Sequence, residues 1–213
     1  MRERQERLGQ ALGELPKVRA CKEEKDKPKA RVSSTDPEAR VMKMADGGFR
    51  PAYNVQFSVD TASRAIVGAD VTNVGSDQGQ MEPHLLLIQK EHGKLPKEHL
   101  VDGGFVKKEG IEKATAQGVT VYAPVPKPKK EGVDPYEPKA GDSEAVAAWR
   151  ERMGTAQAKE IYKERCSTVE TVNADAREHR GLDRFVVRGV RKVRCVVLWF
   201  ALTYDILRLL AVT

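Results

Sequence analysis

Over residues 52–60 apolar and polar side chains alternate, with Tyr53, Val55, Phe57 and Val59 on one side and Asn54, Gln56 and Ser58 on the other. That two-residue period predicts a strand. Residues 65–71 are again apolar, across the short link Thr61-Ala62-Ser63-Arg64, so the pair predicts an antiparallel hairpin. The period then changes. Met81, Leu85, Leu86 and Ile88 mark a helix over 78–92, with Ser76 or Asp77 placed to cap it. Residues 99–101 read as a short strand, 107–117 as a helix stopped by Gly118, and 119–124 as another strand. Strand, helix, strand is the order that a parallel pair requires.

The flanks are less regular. Leu8, Leu12 and Leu15 predict one short amphipathic helix that ends before Pro16, and the alternating charges from Lys22 to Lys29 extend a charged linker over 1–30. Asp46-Gly47-Gly48 is a turn signal, and the Ser33 to Pro37 cluster favours a turn or a helix start. Residues 124–141, rich in Pro, Lys, Glu and Gly, predict an exposed mobile loop. Ser143 and Thr155 are placed to cap two helices, the second running through Glu170 to about Arg180, and beyond Gly181 a long apolar helix is expected over 187–211. Asp205 and Arg208 interrupt that helix, which argues for burial in protein rather than in a membrane. Trp199, Phe200, Tyr204, Leu207 and Leu210 are accordingly assigned to a core.

Composition narrows the partners. A net charge of +6 and a pI near 9.2 favour an anionic partner, nucleic acid first, against the alternative of a merely soluble surface. Cys21, Cys166 and Cys195 are far apart and odd in number, so neither a disulfide framework nor a zinc cluster is indicated, and a reducing cytoplasm is expected. The N-terminal residues carry no apolar segment of the kind a secretory signal needs. His84, His92, His99 and His179 show no paired ligand spacing.

Candidate chemistry centres on Asp102, a carboxylate at the end of an apolar strand followed by Gly103 and Gly104, where backbone and ligand can approach closely. A second carboxylate, Glu170, lies on the helix that carries Tyr162 and Arg165, with Asn173 and Arg177 on the same stripe. Two carboxylates converging from a strand end and a helix suit a divalent-metal phosphoryl-transfer site, because hard Mg²⁺ prefers oxygen and can clamp attacking and leaving oxygens. Read alone, the stripe is a solvated helix face before it is a site, and the strand-end Asp102 is what shifts the reading. Arg177, Arg180, Arg184, Arg188, Arg191, Lys192 and Arg194 repeat near helical spacing; phosphate contact and a basic cap at a helix junction both remain open.

Four motifs in order, STDPEARVMK, GGFRPAYNVQFSVD, VDGGF and YKERCSTVETVNADAREHRGL, resemble the DDE transposases of bacterial insertion sequences, from about residue 31 to the C-terminus. The resemblance implies an α/β, ribonuclease H-like mixed sheet flanked by helices over 31–213. It further implies two Mg²⁺ (or Mn²⁺) ions, double-stranded DNA at transposon ends as partner, and cleavage followed by strand transfer through in-line attack on phosphodiesters. Asp102 corresponds to the second catalytic Asp and Glu170 to the catalytic Glu. Tyr162, Arg165, Asn173 and Arg177 would face DNA phosphate, and Arg184, Arg188 and Arg191 would extend that contact. No strand-end Asp matches the family's first, so the sheet is expected to be incomplete at its N-terminal edge and this chain inactive on its own. The alternatives are a noncatalytic DNA-binding remnant and a module that complements a separate N-terminal half. A bacterial, nucleoid-associated location and a homo-oligomer are compatible with all three.

Overall fold

The computed structural model describes residues 2–44, 46–128 and 131–212. The chain divides into two compact units, one of Met1–Gln56, Ala69–Gly75 and Ala176–Thr213, the other of Phe57–Gly68 and Ser76–Asp175.

In the first unit, α1 (Arg2–Ala20) continues through Pro16, where the sequence suggested a stop. Arg, Glu, Gln, Leu and Ala supply most of its residues, so the helix tolerates Gly9, Gly13 and Pro16, and Glu14 fastens it to Arg40 at 2.7 Å. Strands β1 (Arg40–Lys43) and β2 (Phe49–Ala52) pair antiparallel, Arg40 opposite Ala52 and Lys43 opposite Phe49. The turn between them is the predicted one: the Asp46 carboxylate accepts from Gly48 N–H at 2.9 Å, and Gly47 takes a φ of 81° that side-chain-bearing residues avoid.

The last helix of this unit, α6 (Val190–Val212), is held at its start by the STDPEAR segment. Asp36 accepts from Tyr53 O–H at 2.8 Å and from Gly189 N–H at 3.0 Å, while Glu38 accepts from Val190 N–H at 2.6 Å. Two acidic side chains thus satisfy backbone donors that a helix start leaves open and complement its positive end. The helix buries the single stripe Val193, Val197, Phe200 and Ala201. The expectation that Trp199, Leu207 and Leu210 lie in the core is overturned, since Trp199 is 66% exposed and Leu198, Leu202, Ile206, Leu207, Leu209 and Leu210 are exposed as well. Apolar residues lie around most of this helix, so those off its one buried stripe are left exposed.

Strands β3 (Asn54–Val59) and β4 (Ile66–Thr72) pair as the expected hairpin, closed by a turn in which Asp60 N–H donates to Ala65 C=O at 2.9 Å. Gln56, assigned by alternation to the polar side, is buried instead.

The second unit holds the larger core. Strands β5 (Glu98–Leu100) and β6 (Thr120–Tyr122) form the predicted parallel pair, His99 opposite Val121. Around them pack α2 (Met81–His92), α3 (Lys108–Ala116), α4 (Glu144–Gly154) and α5 (Ala156–Ala174). Met81, Leu85, Ile111, Val121, Val146 and Trp149 share one buried cluster, and the Trp149 indole N–H donates to Ala123 C=O at 3.2 Å, so this large side chain is buried without an orphaned donor.

Two helix caps differ from expectation. The residue capping α2 is Gln80, without a side-chain bond, rather than Ser76 or Asp77. Ser143 holds the N-cap position of α4 as expected, but its hydroxyl donates to Glu112 at 2.5 Å instead of accepting from the helix backbone. Thr155 behaves as predicted and accepts from Ala158 N–H at 3.1 Å.

The described part of 124–141 contains no helix or strand, and its second half is anchored. Tyr136 packs against the core, and Arg150 donates to Pro135 C=O at 3.2 Å. Asp142 is almost fully buried between Lys108 and Arg150, each at 2.6 Å.

The protein is mixed α/β as expected, and among the described residues the strands pair two by two. The strands are short, three to seven residues, and β2 carries Pro51, which has no N–H to offer a further neighbour.

Candidate active site

The site is built within the second unit, where β5 leads into Val101 and Asp102. Val101 N–H donates to Tyr122 C=O at 2.9 Å, continuing the parallel pairing one residue past the strand. Asp102 then turns the chain: its carboxylate accepts from Gly104 N–H at 2.8 Å. A side chain at Gly104 would begin 3.0 Å from Asp102 Oδ1 and 3.4 Å from Asp77 Oδ2, so a glycine here leaves room for two carboxylates. Asp77, legible in the sequence only as a polar residue ahead of a helix, is therefore a neighbour of Asp102.

Helix α5 supplies the opposite wall. The Tyr162 hydroxyl donates to Val101 C=O at 3.1 Å, tying the helix to the strand end one residue before Asp102. Burial raises the Tyr162 pKa, with Arg165 pulling it the other way, so the hydroxyl keeps its proton as a donor. Arg165 lies one helical turn further on, only 18% exposed. One terminal nitrogen of its guanidinium meets Asp102 Oδ2 at 3.3 Å and the other meets Glu170 Oε1 at 2.9 Å. Asp102 and Glu170, separated by 68 positions in the chain, thus share one cation. Their own side chains are 41% and 52% exposed, open enough to exchange partners.

The structure brings together Asp102, Tyr162, Arg165 and Glu170. Asn173 is half-buried further along α5. Arg177 is exposed in a π-helical turn, Asp175–His179, and belongs to the first unit. Arg184, Arg188 and Arg191 are exposed too, but the near-helical basic stripe is not a helix. Only Arg191 of those three lies in α6, because Gly181 and Gly189 adopt φ of 68° and 84° and break the chain between them. Arg194, on α6, pairs with Asp70 at 3.4 Å.

Oxygen donors alone, from Asp102 and Glu170, fit a hard divalent ion such as Mg²⁺ or Mn²⁺, which binds through one or two carboxylates and keeps several waters. The guanidinium between them shows that the pair accommodates positive charge. Among the described residues no group of three or more His, Cys, Asp or Glu side chains gathers as a metal site. No helix among them is long and apolar enough to cross a membrane.

The geometry defines a mixed α/β protein with a strand-end and a helix carboxylate on one cation. Residues 136–210 of the 213 match the family described as Transposase DDE domain, and over that segment the chain is similar to it. The matched segment contains Tyr162, Arg165, Glu170, Asn173, Arg177, Arg184, Arg188 and Arg191, and Asp102 lies outside it. No curated protein and no solved structure matches the chain.

Proposed function

We propose that the chain carries part of the active site of a DDE transposase with a ribonuclease H-like ancestry, in which Asp102 and Glu170 hold a divalent ion and the arginines hold DNA. The observation that carries this reading is the bridge from Arg165 to both carboxylates. It brings a strand-end Asp and a helix Glu from distant positions to one charge centre open to solvent. A bound divalent ion supplies Lewis-acid activation of an attacking water or 3′ hydroxyl and neutralises charge on the leaving oxygen. The protein's part is positional: Tyr162 fixes the end of β5, Gly104 leaves Asp102 room beside Asp77, and Arg165 orients Asp102 and Glu170. Arg177, Arg184, Arg188 and Arg191 carry exposed charge for phosphate, which needs no base code.

Two carboxylates suffice for one ion with its waters, whereas in-line displacement by two ions needs a further bridging oxygen ligand. The 213-residue chain assayed alone is accordingly expected to bind DNA without nicking it in Mg²⁺ or Mn²⁺. Fluorescence anisotropy with a labelled duplex at several salt concentrations tests the binding. Neutralising Arg184, Arg188 and Arg191 to Gln together should reduce the slope of log affinity against log salt by up to about 2.7, at roughly 0.9 for each phosphate no longer neutralised. An unchanged slope removes these residues from the interface. Absence of duplex binding by the unaltered chain contradicts the function itself.

A further inference from the structure

Arg165 is tied to the carboxylates more completely than a residue waiting for phosphate needs to be. Each of its two terminal nitrogens already meets a carboxylate oxygen, at 2.9 Å from Glu170 and 3.3 Å from Asp102, and its side chain is only 18% exposed. Phosphate and these carboxylates compete for the same planar fork, because a guanidinium recognises both through parallel N–H donors. A divalent ion held by Asp102 and Glu170 would compete with Arg165 for the same carboxylate oxygens.

We propose that Arg165 is a positioning residue that serves as an internal counter-ion, holding Asp102 and Glu170 together until a divalent ion displaces it. This rests on the reading of Asp102 and Glu170 as metal ligands. The displacement exchanges one cation for another at the same oxygens. The carboxylates are kept from repelling each other beforehand, and the guanidinium is released with its donors free when the ion arrives. Metal loading thereby precedes the availability of Arg165 to DNA phosphate. Neither carboxylate is buried enough to make the two ion pairs unbreakable, since exposed pairs contribute little each, and a strongly hydrated divalent ion can replace them.

The test is a Mn²⁺ titration of the full chain, followed by electron paramagnetic resonance of free Mn²⁺ and by the rise in Tm with added metal. Arg165→Gln removes the competitor while keeping a polar side chain, and it should bind Mn²⁺ roughly ten-fold tighter, the size set by losing two weak ion pairs. Its Tm should start lower without metal and gain more from Mn²⁺. Arg165→Lys, whose single ammonium cannot meet both carboxylates in the same fork geometry, should fall between the two. Circular dichroism establishes that each variant is folded before titration. Equal or weaker Mn²⁺ binding by folded Arg165→Gln, with the unaltered chain still binding through Asp102 and Glu170, overturns the counter-ion role alone. Failure of every variant to bind Mn²⁺, or binding unaffected by Asp102→Asn, overturns the metal reading on which the role rests.

Discussion

Tyr162 shows how one hydroxyl changes the meaning of a motif. In the sequence it stands three positions before Arg165, and the family resemblance suggests a phosphate contact, yet its O–H is already donated to Val101 C=O at 3.1 Å. Its structural task is to align α5 with the carboxylate-bearing strand end. Tyr162→Phe keeps the ring in its packing and removes only that bond, so it should cost about 1 kcal/mol of stability in urea unfolding. It should also weaken Mn²⁺ binding without changing Asp102 or Glu170. A variant as stable as the parent, with unchanged metal affinity, would show that the bond does not position the site. Asp102 and Glu170 were legible as candidates because a carboxylate at the end of an apolar strand, ahead of two glycines, and another on an amphipathic helix are visible in one dimension. The cation joining them was not, because an arginine five positions before Glu170 has many partners to choose from, and only the packing of α5 against β5 selects Asp102.

Elements whose identity depends on local periodicity were read well, and those that depend on neighbours were not. The parallel pair β5 and β6 with α3 between them follows from apolar runs and Gly118, and the hairpin β3 and β4 from alternation. Among the described residues the strands pair two by two rather than in one sheet, because pairing between strands distant in the chain depends on packing that the periodicity of one segment does not carry. The basic stretch failed as a helix for a different reason: two glycines at positive φ punctuate it, a conformation that spacing of charges does not reveal. Helix α6 depends on residues far upstream. Glu38 accepts from Val190 N–H and Asp36 from Gly189 N–H, so Glu38→Ala leaves a helix-start donor without its acidic partner. That change should cost about 1 kcal/mol, in the range of lost helix caps, and should be read as a shift in urea midpoint. A shift in Glu38→Ala no larger than in an exposed control such as Glu151→Ala would mean that the STDPEAR segment does not secure α6.

For the whole molecule, pH is the simplest probe of how the folded state treats buried charge. His99 has its pKa lowered to about 4, first by burial and then by the neighbouring His84. The unfolded chain, with an ordinary value near 6.5, binds that proton earlier, so stability conferred by the neutral ring is present above pH 6.5 and is lost as pH falls from there towards 4. The slope in this window should approach 1.4 kcal/mol per pH unit at most for one proton. Asp142 adds a second window. Burial alone would raise its pKa, but hydrogen bonds from Lys108, Arg150 and the Lys139 N–H hold it at about 2, so its contribution is full above the ordinary carboxylate value near 4 and disappears as pH falls through 2. Urea unfolding from pH 7 to 2 should therefore decline in two stages. His99→Gln should flatten the upper stage and Asp142→Asn the lower. A stability that stays level between pH 6.5 and 4 would contradict the placement of His99.

The proposed function turns on Asp102 and Glu170 as holders of a divalent ion, and isothermal titration with Mn²⁺ tests that directly. The unaltered chain should take up one ion, and Asp102→Asn and Glu170→Gln should each weaken that binding by at least about ten-fold, the loss of one charged ligand among few. Tight binding that survives both substitutions together would place the metal elsewhere and contradict the site.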